Sequence, residues 1–239
     1  MNKPLTIAII DFNAGNLYSV IQALTIVAPR ATIKLADKPQ TIAQADRIVF
    51  PGQGAMASCM QVLHERQLID SLLDALRNKP CLTICLGLQI LFDYSEEGQT
   101  KGLGLLSGQV KKFSASNRTH IKSADSNKIK TASSYNLITS KHSLLKIPHM
   151  GWNLVERQAT NESNFHPLWQ NISPAEYFYF AHSYYVQPNN SCHVSAIAHH
   201  GEPIVAAIAK NNIFAVQFHP EKSAQAGLTL FKNFVSWNI

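Results

Sequence analysis

The first half of the chain alternates short apolar runs with longer segments in which apolar residues recur every three or four positions. Short apolar runs are typical of buried strands, and the longer spacing is typical of amphipathic helices. The pattern predicts strands over residues 5–10, 32–35, 47–50 and 81–84, and helices over residues 17–27, 60–76 and 89–92. Because alternating strands and helices build βαβ units, we predict an α/β fold with a central, mostly parallel sheet flanked by helices.

The second half of the chain has a different pattern of apolar and polar residues. From Leu105 onward the alternating runs are shorter, and they predict additional antiparallel strands at one edge of the sheet. Residues 114–143 are rich in Ser, Asn, Lys and Thr without periodicity, which predicts a long loop or a short hairpin. With 239 residues, 46% of them hydrophobic, the whole chain is predicted to form one domain over residues 1–239.

The net charge of +6 comes from one segment. Residues 111–146 hold eight Lys and Arg against Asp125 alone, so the rest of the chain is slightly acidic. No nucleic-acid reading element accompanies these charges, and we predict no nucleic-acid partner. A solvated surface is the simpler interpretation, and attraction of an anionic partner stays the alternative.

Cysteine and histidine usage exclude other classes. The four cysteines show neither metal spacing nor a secreted disulfide pattern. His149, His182 and the pair at 199–200 fit no common zinc spacing, so we predict no metal and interpret His182 as a packed or interface histidine. No stretch is long enough for a signal sequence or a membrane span, which predicts a cytoplasmic protein without membrane association.

Cys85 is the first candidate for chemistry. It falls where the apolar strand at 81–84 gives way to a helical pattern, with Gly87 two residues later. A sharp strand–turn–helix corner exposes a nucleophile, and a helix N-terminus favours a thiolate and can bind an oxyanion. An inert buried thiol is the alternative, and it is the commoner one for a cysteine outside such a context.

A His-x-Glu pair near the C-terminus could activate that thiol. Alternating apolar residues lead into His219, and we expect Pro220 to keep the segment extended. His219 and Glu221 then lie on one face, where the carboxylate can accept the imidazole Nδ1–H and orient the ring.

These residues stand within longer motifs that resemble the class I, triad-type glutamine amidotransferases. The motifs lie at residues 83–89, 219–221, 9–17, 50–55, 148–153, 177–185 and 217–223. Within the class, the set resembles the glutamine amidotransferase subunits of imidazole glycerol phosphate synthase, an enzyme of histidine biosynthesis. The resemblance covers residues 7 to 234, and residues 114–143 are an insertion relative to its pattern.

The resemblance implies a flavodoxin-like fold, no cofactor and a role for individual residues. Cys85 would attack the side-chain amide of glutamine, form a thioester and release ammonia, while His219 moves the protons and Glu221 orients His219. The N–H groups of Gly52 and Leu86 would form the oxyanion hole. The remaining implied residues would hold the α-amino and α-carboxylate groups of glutamine, and they are Gln89, Glu97, Ser183 and Tyr184.

The resemblance also implies a heterodimer with a (β/α)₈-barrel cyclase. That partner would receive the ammonia and make imidazole glycerol phosphate and an aminoimidazole carboxamide ribonucleotide. The chain itself carries no phosphate or dinucleotide motif for an acceptor. Asn13, Asn16 and Trp152 match the docking face, and the loop at 52–54 is expected to form its oxyanion hole only when the loaded cyclase is bound.

Three positions depart from the family pattern. Thr83 and Asn13 stand where the family has glycine, and Gln53 replaces an apolar residue. Thr83 would crowd the turn, whereas asparagine tolerates a positive φ better than most residues. These departures leave open a diverged paralogue that supplies ammonia to a barrel partner aminating a sugar for a surface polysaccharide. A catalytically silent regulatory or scaffolding subunit is a further alternative, against which the retained triad argues.

Overall fold

The computed structural model describes residues 3–13, 17–114, 145–158 and 165–239. The strands in these ranges are β1 Thr6–Ile10, β2 Thr32–Ala36, β3 Arg47–Phe50, β4 Cys81–Ile84, β5 Phe92–Ser95, β6 Thr100–Lys101, β7 Leu106–Lys112, β8 His149–Arg157, β9 Ala175–His182, β10 Tyr184–Pro188, β11 Val194–His200, β12 Glu202–Lys210 and β13 Ile213–Val216. The α-helices are α1 Leu17–Val27, α2 Pro39–Gln44, α3 Met56–Glu65, α4 Ile69–Asn78, α5 Leu86–Gln89 and α6 Ala224–Ser236. Of these helices, none has the length and apolar character required to cross a membrane.

Nine strands form the central sheet in the order β2-β1-β3-β4-β13-β12-β11-β8-β9. The first five are mutually parallel, in the flavodoxin-like order, and the last four extend the sheet with antiparallel pairings. A second sheet has the order β10-β7-β5-β6. The predicted α/β fold is confirmed, including the antiparallel strands at one edge.

The inner parallel strands β1, β3, β4 and β13 are buried on both faces, whereas the edge strand β2 is partly exposed. In β1, Ile7 and Ile9 belong to one hydrophobic cluster, while Ala8 and Ile10 belong to the cluster on the other face of the sheet. A strand covered on both sides has no polar face, which explains why its sequence is a continuous apolar run. The limits of β1, β2, β3 and β4 agree with the predicted strands within one residue.

The helices depart from prediction in two places. The single helix expected over 60–76 is two helices, α3 and α4, which are separated at Gln67 by a left-handed φ of 56°. Both helices bury apolar residues in the same cluster, so the apolar spacing continues across the break. The helix expected at 89–92 is also misplaced: α5 begins at Leu86 and ends at Gln89, and Phe92 starts a strand. A short buried apolar run does not distinguish helix from strand.

The insertion predicted at 114–143 lies outside the described residues except for Ser114, and so does most of the basic segment. The single-domain assignment over residues 1–239 stays a prediction.

The fold places two chain segments side by side. β4 and β13 are parallel neighbours, with Ile84 paired with Val216. Their carboxyl ends therefore meet at the same edge of the sheet, where ligands bind in open α/β folds. Cys85 directly follows one strand, and His219 follows the other after two residues.

Candidate active site

Cys85 occupies a strained turn between β4 and α5. Its φ is 54° and its ψ is −105°, a combination that non-glycine residues rarely adopt. Its N–H donates to the Val216 carbonyl at 2.7 Å, and its carbonyl accepts from the Leu88 N–H at 3.0 Å. This is the geometry of a nucleophile elbow. Because α5 has only four residues, few peptide dipoles are aligned at Cys85.

Close packing around the elbow requires small residues. A Cβ added to Gly87 would collide with the Phe50 carbonyl oxygen, and one added to Gly52 would collide with Leu86. Thr83, which departs from the family pattern, is fully buried in β4, and its hydroxyl has no hydrogen-bond partner within the described residues. The elbow accommodates this threonine without loss of its turn.

His219 and Glu221 interact, but the segment is not extended as predicted. β13 ends at Val216, and Pro220–Lys222 form a 3₁₀ turn that begins directly after His219. The turn brings Nδ1 of His219 to 2.8 Å from Oε1 of Glu221, and both side chains are almost fully buried. The fixed φ of a proline suits the first residue of a 3₁₀ turn, and proline also disfavours helical geometry in the residue before it. The prediction took only the second effect into account, which explains why it was incorrect.

The electrostatics of His219 favour an imidazolium. Burial by itself lowers the pKa of His219, but its interactions with Cys85 and with Glu221 outweigh burial and raise that pKa to about 10. Nε2 of His219 is buried and, within the described residues, makes no hydrogen bond of standard geometry. It is therefore the ring atom available to exchange a proton with the thiol or with a substrate.

Gln217 is a site residue that the sequence analysis missed. It is fully buried, and its Nε2 donates to Sγ of Cys85 at 3.5 Å while its Oε1 accepts from Gln89 at 3.2 Å. An amide N–H directed at sulfur stabilises the thiolate. Its position two residues before His219 in an alternating pattern was the signal that could have identified it.

A cavity of about 400 Å³ opens beside Cys85. All four residues expected to hold glutamine line it, although they come from three separate parts of the chain: Gln89, Glu97, Ser183 and Tyr184. The other lining residues are Gln53, Gly54, Leu86, Pro148, Met150, Ala181, His182 and Lys222. The structure thus brings the expected glutamine-binding residues and the nucleophile into one pocket.

Gln89 and Glu97 each make a structural bond in addition to lining the cavity. Nε2 of Gln89 donates to the Tyr184 carbonyl at 3.1 Å as well as to Gln217, which leaves Oε1 of Gln89 as an acceptor. Oε2 of Glu97 accepts from the Met56 N–H at 2.8 Å, at the first residue of α3. Each side chain therefore arrives in the cavity in a fixed orientation.

The expected oxyanion hole is closed in this conformation. Gly52 and Leu86 are adjacent, but the Leu86 N–H donates to the Gly52 carbonyl oxygen at 3.4 Å. One expected donor, the Leu86 N–H, is thus occupied, and the Gly52–Gln53 peptide presents its carbonyl oxygen to the elbow. At 3.4 Å this is a weak hydrogen bond.

The expected docking residues lie at the surface where they are described. Asn13 is exposed with the positive φ of 65° that was anticipated for it, and its Oδ1 accepts from Arg66 at 2.6 Å. Trp152 is 54% exposed on β8. Asn16 lies outside the described residues.

Two of the histidines considered for a metal site, His149 and His182, are buried, whereas His199 is exposed. His182 is buried, as predicted, and contacts His149 at 2.9 Å. Across the described residues no three His, Cys, Asp or Glu side chains are grouped to hold a metal ion.

Fold and site together define a class of protein. A cysteine on a strained elbow at the carboxyl edge of a flavodoxin-like sheet, with a buried His–Glu pair beside it, is an arrangement suited to nucleophilic chemistry by sulfur in an α/β enzyme.

Comparison with known proteins identifies the family. The model of the family "Glutamine amidotransferase class-I" matches residues 8–237. The imidazole glycerol phosphate synthase subunit HisH of Thiobacillus denitrificans is 46% identical over 97% of this chain and 91% of its own length, and that of Nitrosospira multiformis is 46% identical over 97% of both chains. The chain therefore belongs to the class I glutamine amidotransferases and, within them, to the family of HisH subunits.

Solved structures agree on the fold. A protein from Thermoplasma acidophilum, described as a component of GMP synthase, superposes with a TM-score of 0.63 at 17% identity, covering 98% of this chain and 94% of its own. A structure described as a glutamine amidotransferase superposes with a TM-score of 0.62 at 13% identity, covering 96% of each chain. At these identities the likeness concerns the fold alone.

Proposed function

We propose that this chain is the glutaminase subunit of imidazole glycerol phosphate synthase and supplies ammonia for histidine biosynthesis. The observation that carries the proposal is that the His219–Glu221 pair interacts with Cys85, which lines a cavity together with all four expected glutamine-binding residues. The HisH relatives at 46% identity support the same assignment.

The reaction begins with the Cys85 thiolate and the His219 imidazolium. Sulfur adds to the side-chain carbonyl carbon of glutamine and forms a tetrahedral oxyanion. As the C–N bond breaks, Nε2 of His219 gives its proton to the leaving nitrogen, and ammonia departs from a glutamyl thioester. His219 then takes a proton from water, the resulting hydroxide attacks the thioester, and glutamate leaves as the thiolate re-forms.

Buried neighbours hold the two reactive groups. Glu221 orients His219 through Nδ1 and stabilises its charge, so Nε2 faces the reaction. Gln217 donates to Sγ and stabilises the thiolate between turnovers. Together, Glu221 and Gln217 provide the electrostatic stabilisation that the short helix α5 provides only weakly.

The cavity offers complementary groups for an amino acid. The Glu97 carboxylate and Oε1 of Gln89 are acceptors for the α-ammonium group of glutamine. Ser183 and Tyr184 form the wall for the α-carboxylate. A volume of about 400 Å³ suits a small ligand of this kind.

The oxyanion hole forms by rotation of the peptide that follows Gly52. The rotation breaks the weak bond from Leu86 to the Gly52 carbonyl and frees the Leu86 N–H for the oxyanion. The N–H that this rotation turns towards the oxyanion is that of Gln53, in place of the Gly52 N–H expected from the sequence. The absence of a Cβ at Gly52 permits this close approach. We propose that binding of the substrate-loaded partner favours the rotated state, so the isolated chain hydrolyses glutamine slowly. The loss of one oxyanion donor typically lowers the rate by a factor of about 10²–10³.

The proposed partner is a (β/α)₈-barrel cyclase that binds the face bearing Asn13, Asn16 and Trp152. In neutral water ammonia is mostly protonated and poorly nucleophilic, so the partner must receive it through a passage shielded from water. The partner then makes imidazole glycerol phosphate and an aminoimidazole carboxamide ribonucleotide. We place the heterodimer in the cytoplasm, without a cofactor or a resident metal.

Glutamate release from glutamine in the presence of the cognate cyclase tests the glutaminase assignment. Cys85→Ala should abolish release because it removes the attacking sulfur, while Cys192→Ala, which changes an exposed cysteine outside the cavity, should match the wild type. Equal rates in the wild type and Cys85→Ala would instead identify a silent scaffolding subunit.

Two further measurements test the regulation and the acceptor. The isolated chain should hydrolyse glutamine much more slowly than the complex, and equal rates would contradict the proposed poise. Rescue of a histidine auxotroph lacking its own HisH tests the pathway. Failure of that rescue by an active glutaminase would favour the diverged paralogue that serves sugar amination.

A further inference from the structure

Two buried histidines lie beside the cavity but have no role in the chemistry described above: His182 lines the cavity, and His149 is packed behind it against His182. His149 begins β8 and His182 ends β9, and the register of the two strands pairs them directly. Nδ1 of His149 lies 2.9 Å from Nε2 of His182, and each residue is only 5% exposed. Burying polar ring nitrogens costs free energy unless each has a partner, so the partners of this pair are informative.

Asn153 fixes the protonation of His149. The Leu154 N–H donates to the side-chain oxygen of Asn153 at 2.8 Å, which identifies the other branch of the amide as the nitrogen. That nitrogen donates to the His199 carbonyl at 2.8 Å and lies 3.0 Å from Nε2 of His149. Nε2 of a neutral His149 is therefore an acceptor, and its ring proton is on Nδ1.

Tyr184 independently fixes the protonation of His182. Nδ1 of His182 lies 2.7 Å from the main-chain carbonyl of Tyr184, which can only accept. Nδ1 therefore carries the proton, and Nε2 accepts from His149. Both ends impose the same direction on the chain of donors, from Asn153 through His149 and His182 to Tyr184.

Both rings are neutral, as this direction requires. Burial, together with the neighbouring ring of His200, lowers the pKa of His149 to about 3. Burial, together with His149, likewise lowers the pKa of His182 to about 3. Aromatic rings pack against the pair. The rings of Phe180 and His200 both stack on the ring of His149, with centroid distances of 4.6 Å and 4.1 Å, respectively.

The chain of hydrogen bonds continues to the nucleophile. The Tyr184 carbonyl that accepts from His182 also accepts from Gln89 at 3.1 Å. Gln89 in turn donates to Gln217, which donates to Sγ of Cys85. A displacement of the Tyr184 carbonyl would therefore disturb the orientation of a pocket residue and of a thiolate donor together.

We propose that His149 and His182 are positioning residues of the glutaminase site, which hold the Tyr184 carbonyl and, through it, Gln89 and Gln217. The inference rests on the proposed function, which it deepens. We call the series from Asn153 to Tyr184 the histidine relay. It begins in β8, the strand that also presents Met150 and Trp152 to solvent, so a partner docked on Trp152 contacts the strand in which the relay starts.

Crossed substitutions separate positioning from packing. His149→Phe keeps a stacked ring but removes both nitrogen atoms, whereas His149→Asn loses the ring and retains an N–H donor near Nδ1. In the complex with the cyclase, His149→Phe should lower kcat/KM for glutamine hydrolysis about tenfold, the scale of one buried hydrogen bond. His149→Asn should recover most of that loss.

His166→Phe is the matched control. His166 is a half-buried histidine, and burial lowers its pKa to about 4. It stacks on Phe214 with 4.7 Å between ring centroids and accepts from the Leu168 N–H, but it is not part of the relay and does not line the cavity. Its substitution should leave kcat/KM unchanged. Wild-type kinetics in His149→Phe, or a loss in His149→Asn as large as in His149→Phe, would overturn the positioning role and assign the pair to packing.

Nitrogen-15 NMR of the wild-type chain tests the relay without any activity. At neutral pH both rings should show the Nδ1–H tautomer, and an Nε2–H tautomer at either would overturn the relay. This readout also distinguishes the two proposals. A complex that releases no glutamate refutes the proposed function, while the tautomers report on the relay alone.

Discussion

At the residue scale, the backbone of Cys85 is as informative as its side chain. A φ of 54° with a ψ of −105° typically costs an L-residue about 1–3 kcal/mol. The bond from its N–H to Val216 and the tight contact between Gly87 and Phe50 hold the turn in place. Strain of this kind is retained where it directs a reactive atom into a pocket, and here the thiol lines the cavity.

The Glu221 carboxylate should set the alkaline limit of activity. Because it stabilises the imidazolium, Glu221→Gln lowers the pKa of His219 from about 10. His219 must be protonated to release ammonia, so the alkaline limb of kcat/KM for the complex should move to lower pH by about one to three pH units. Glu65→Gln, at an exposed position on α3, is the control and should have the same pH profile as the wild type. If the alkaline limb of Glu221→Gln coincided with that of the wild type, the role assigned to Glu221 would be contradicted.

The same pKa predicts how stability changes with pH. The pKa of His219 is raised in the folded state, so its charged interactions contribute stability that is fully present below its ordinary value of 6.5. That contribution is lost as the pH rises from 6.5 through about 10. Urea unfolding of the wild type should show this loss between about pH 6 and 10, and Glu221→Gln should show a smaller one; parallel curves for the two proteins would refute the coupling.

At the element scale, the sequence located the first four strands and misjudged two turns. The strands β1, β3 and β4 follow continuous apolar runs, which carry a strong local signal. The break between α3 and α4 has only a weak local signal in the sequence. The apolar spacing continues through the break, and glutamine is not a residue typical of the left-handed conformation found at position 67. The 3₁₀ turn after His219 was missed for a related reason, because proline is compatible with both an extended segment and a turn.

The helix break yields a stability prediction. Gln67 is exposed and has a φ of 56°, so Gln67→Gly should stabilise the chain by about 0.5–1 kcal/mol as it relieves the left-handed conformation. Gln61→Gly, the same change inside α3, should destabilise it by about 1 kcal/mol. Denaturant unfolding measures both, and shifts of the same sign would show that the break is not a left-handed turn.

At the scale of the whole molecule, the site is assembled from distant parts of the chain. The cavity draws residues from the loop after β3, the elbow after β4, the strand end of β9 and the turn after β13. The parallel half of the sheet supplies the proposed nucleophile and base, and its antiparallel extension supplies the opposite wall. That extension also carries Trp152, so the pocket and the proposed docking face share one strand.

The proposed docking face predicts a loss of partner binding. Trp152 is 54% exposed on β8, and truncating an exposed interface tryptophan commonly costs about 2 kcal/mol or more. Trp152→Ala should therefore weaken binding of the cyclase by more than about tenfold in a calorimetric titration. Leu35→Ala, an exposed residue on β2 at the other end of the sheet, is the control and should bind normally. Equal affinities would exclude Trp152 from the interface.

The sequence by itself determined the α/β class, the elbow at Cys85 and the candidacy of His219 and Glu221, because apolar periodicity and short motifs are local. Only the tertiary structure revealed the thiolate donor Gln217, the closed state of the oxyanion loop and the direction of the histidine relay. Each of these depends on hydrogen bonds between residues far apart in the chain, such as Cys85 and Gln217, which are separated by 132 positions. Local sequence patterns do not indicate which distant residue will form a hydrogen bond with a buried polar group.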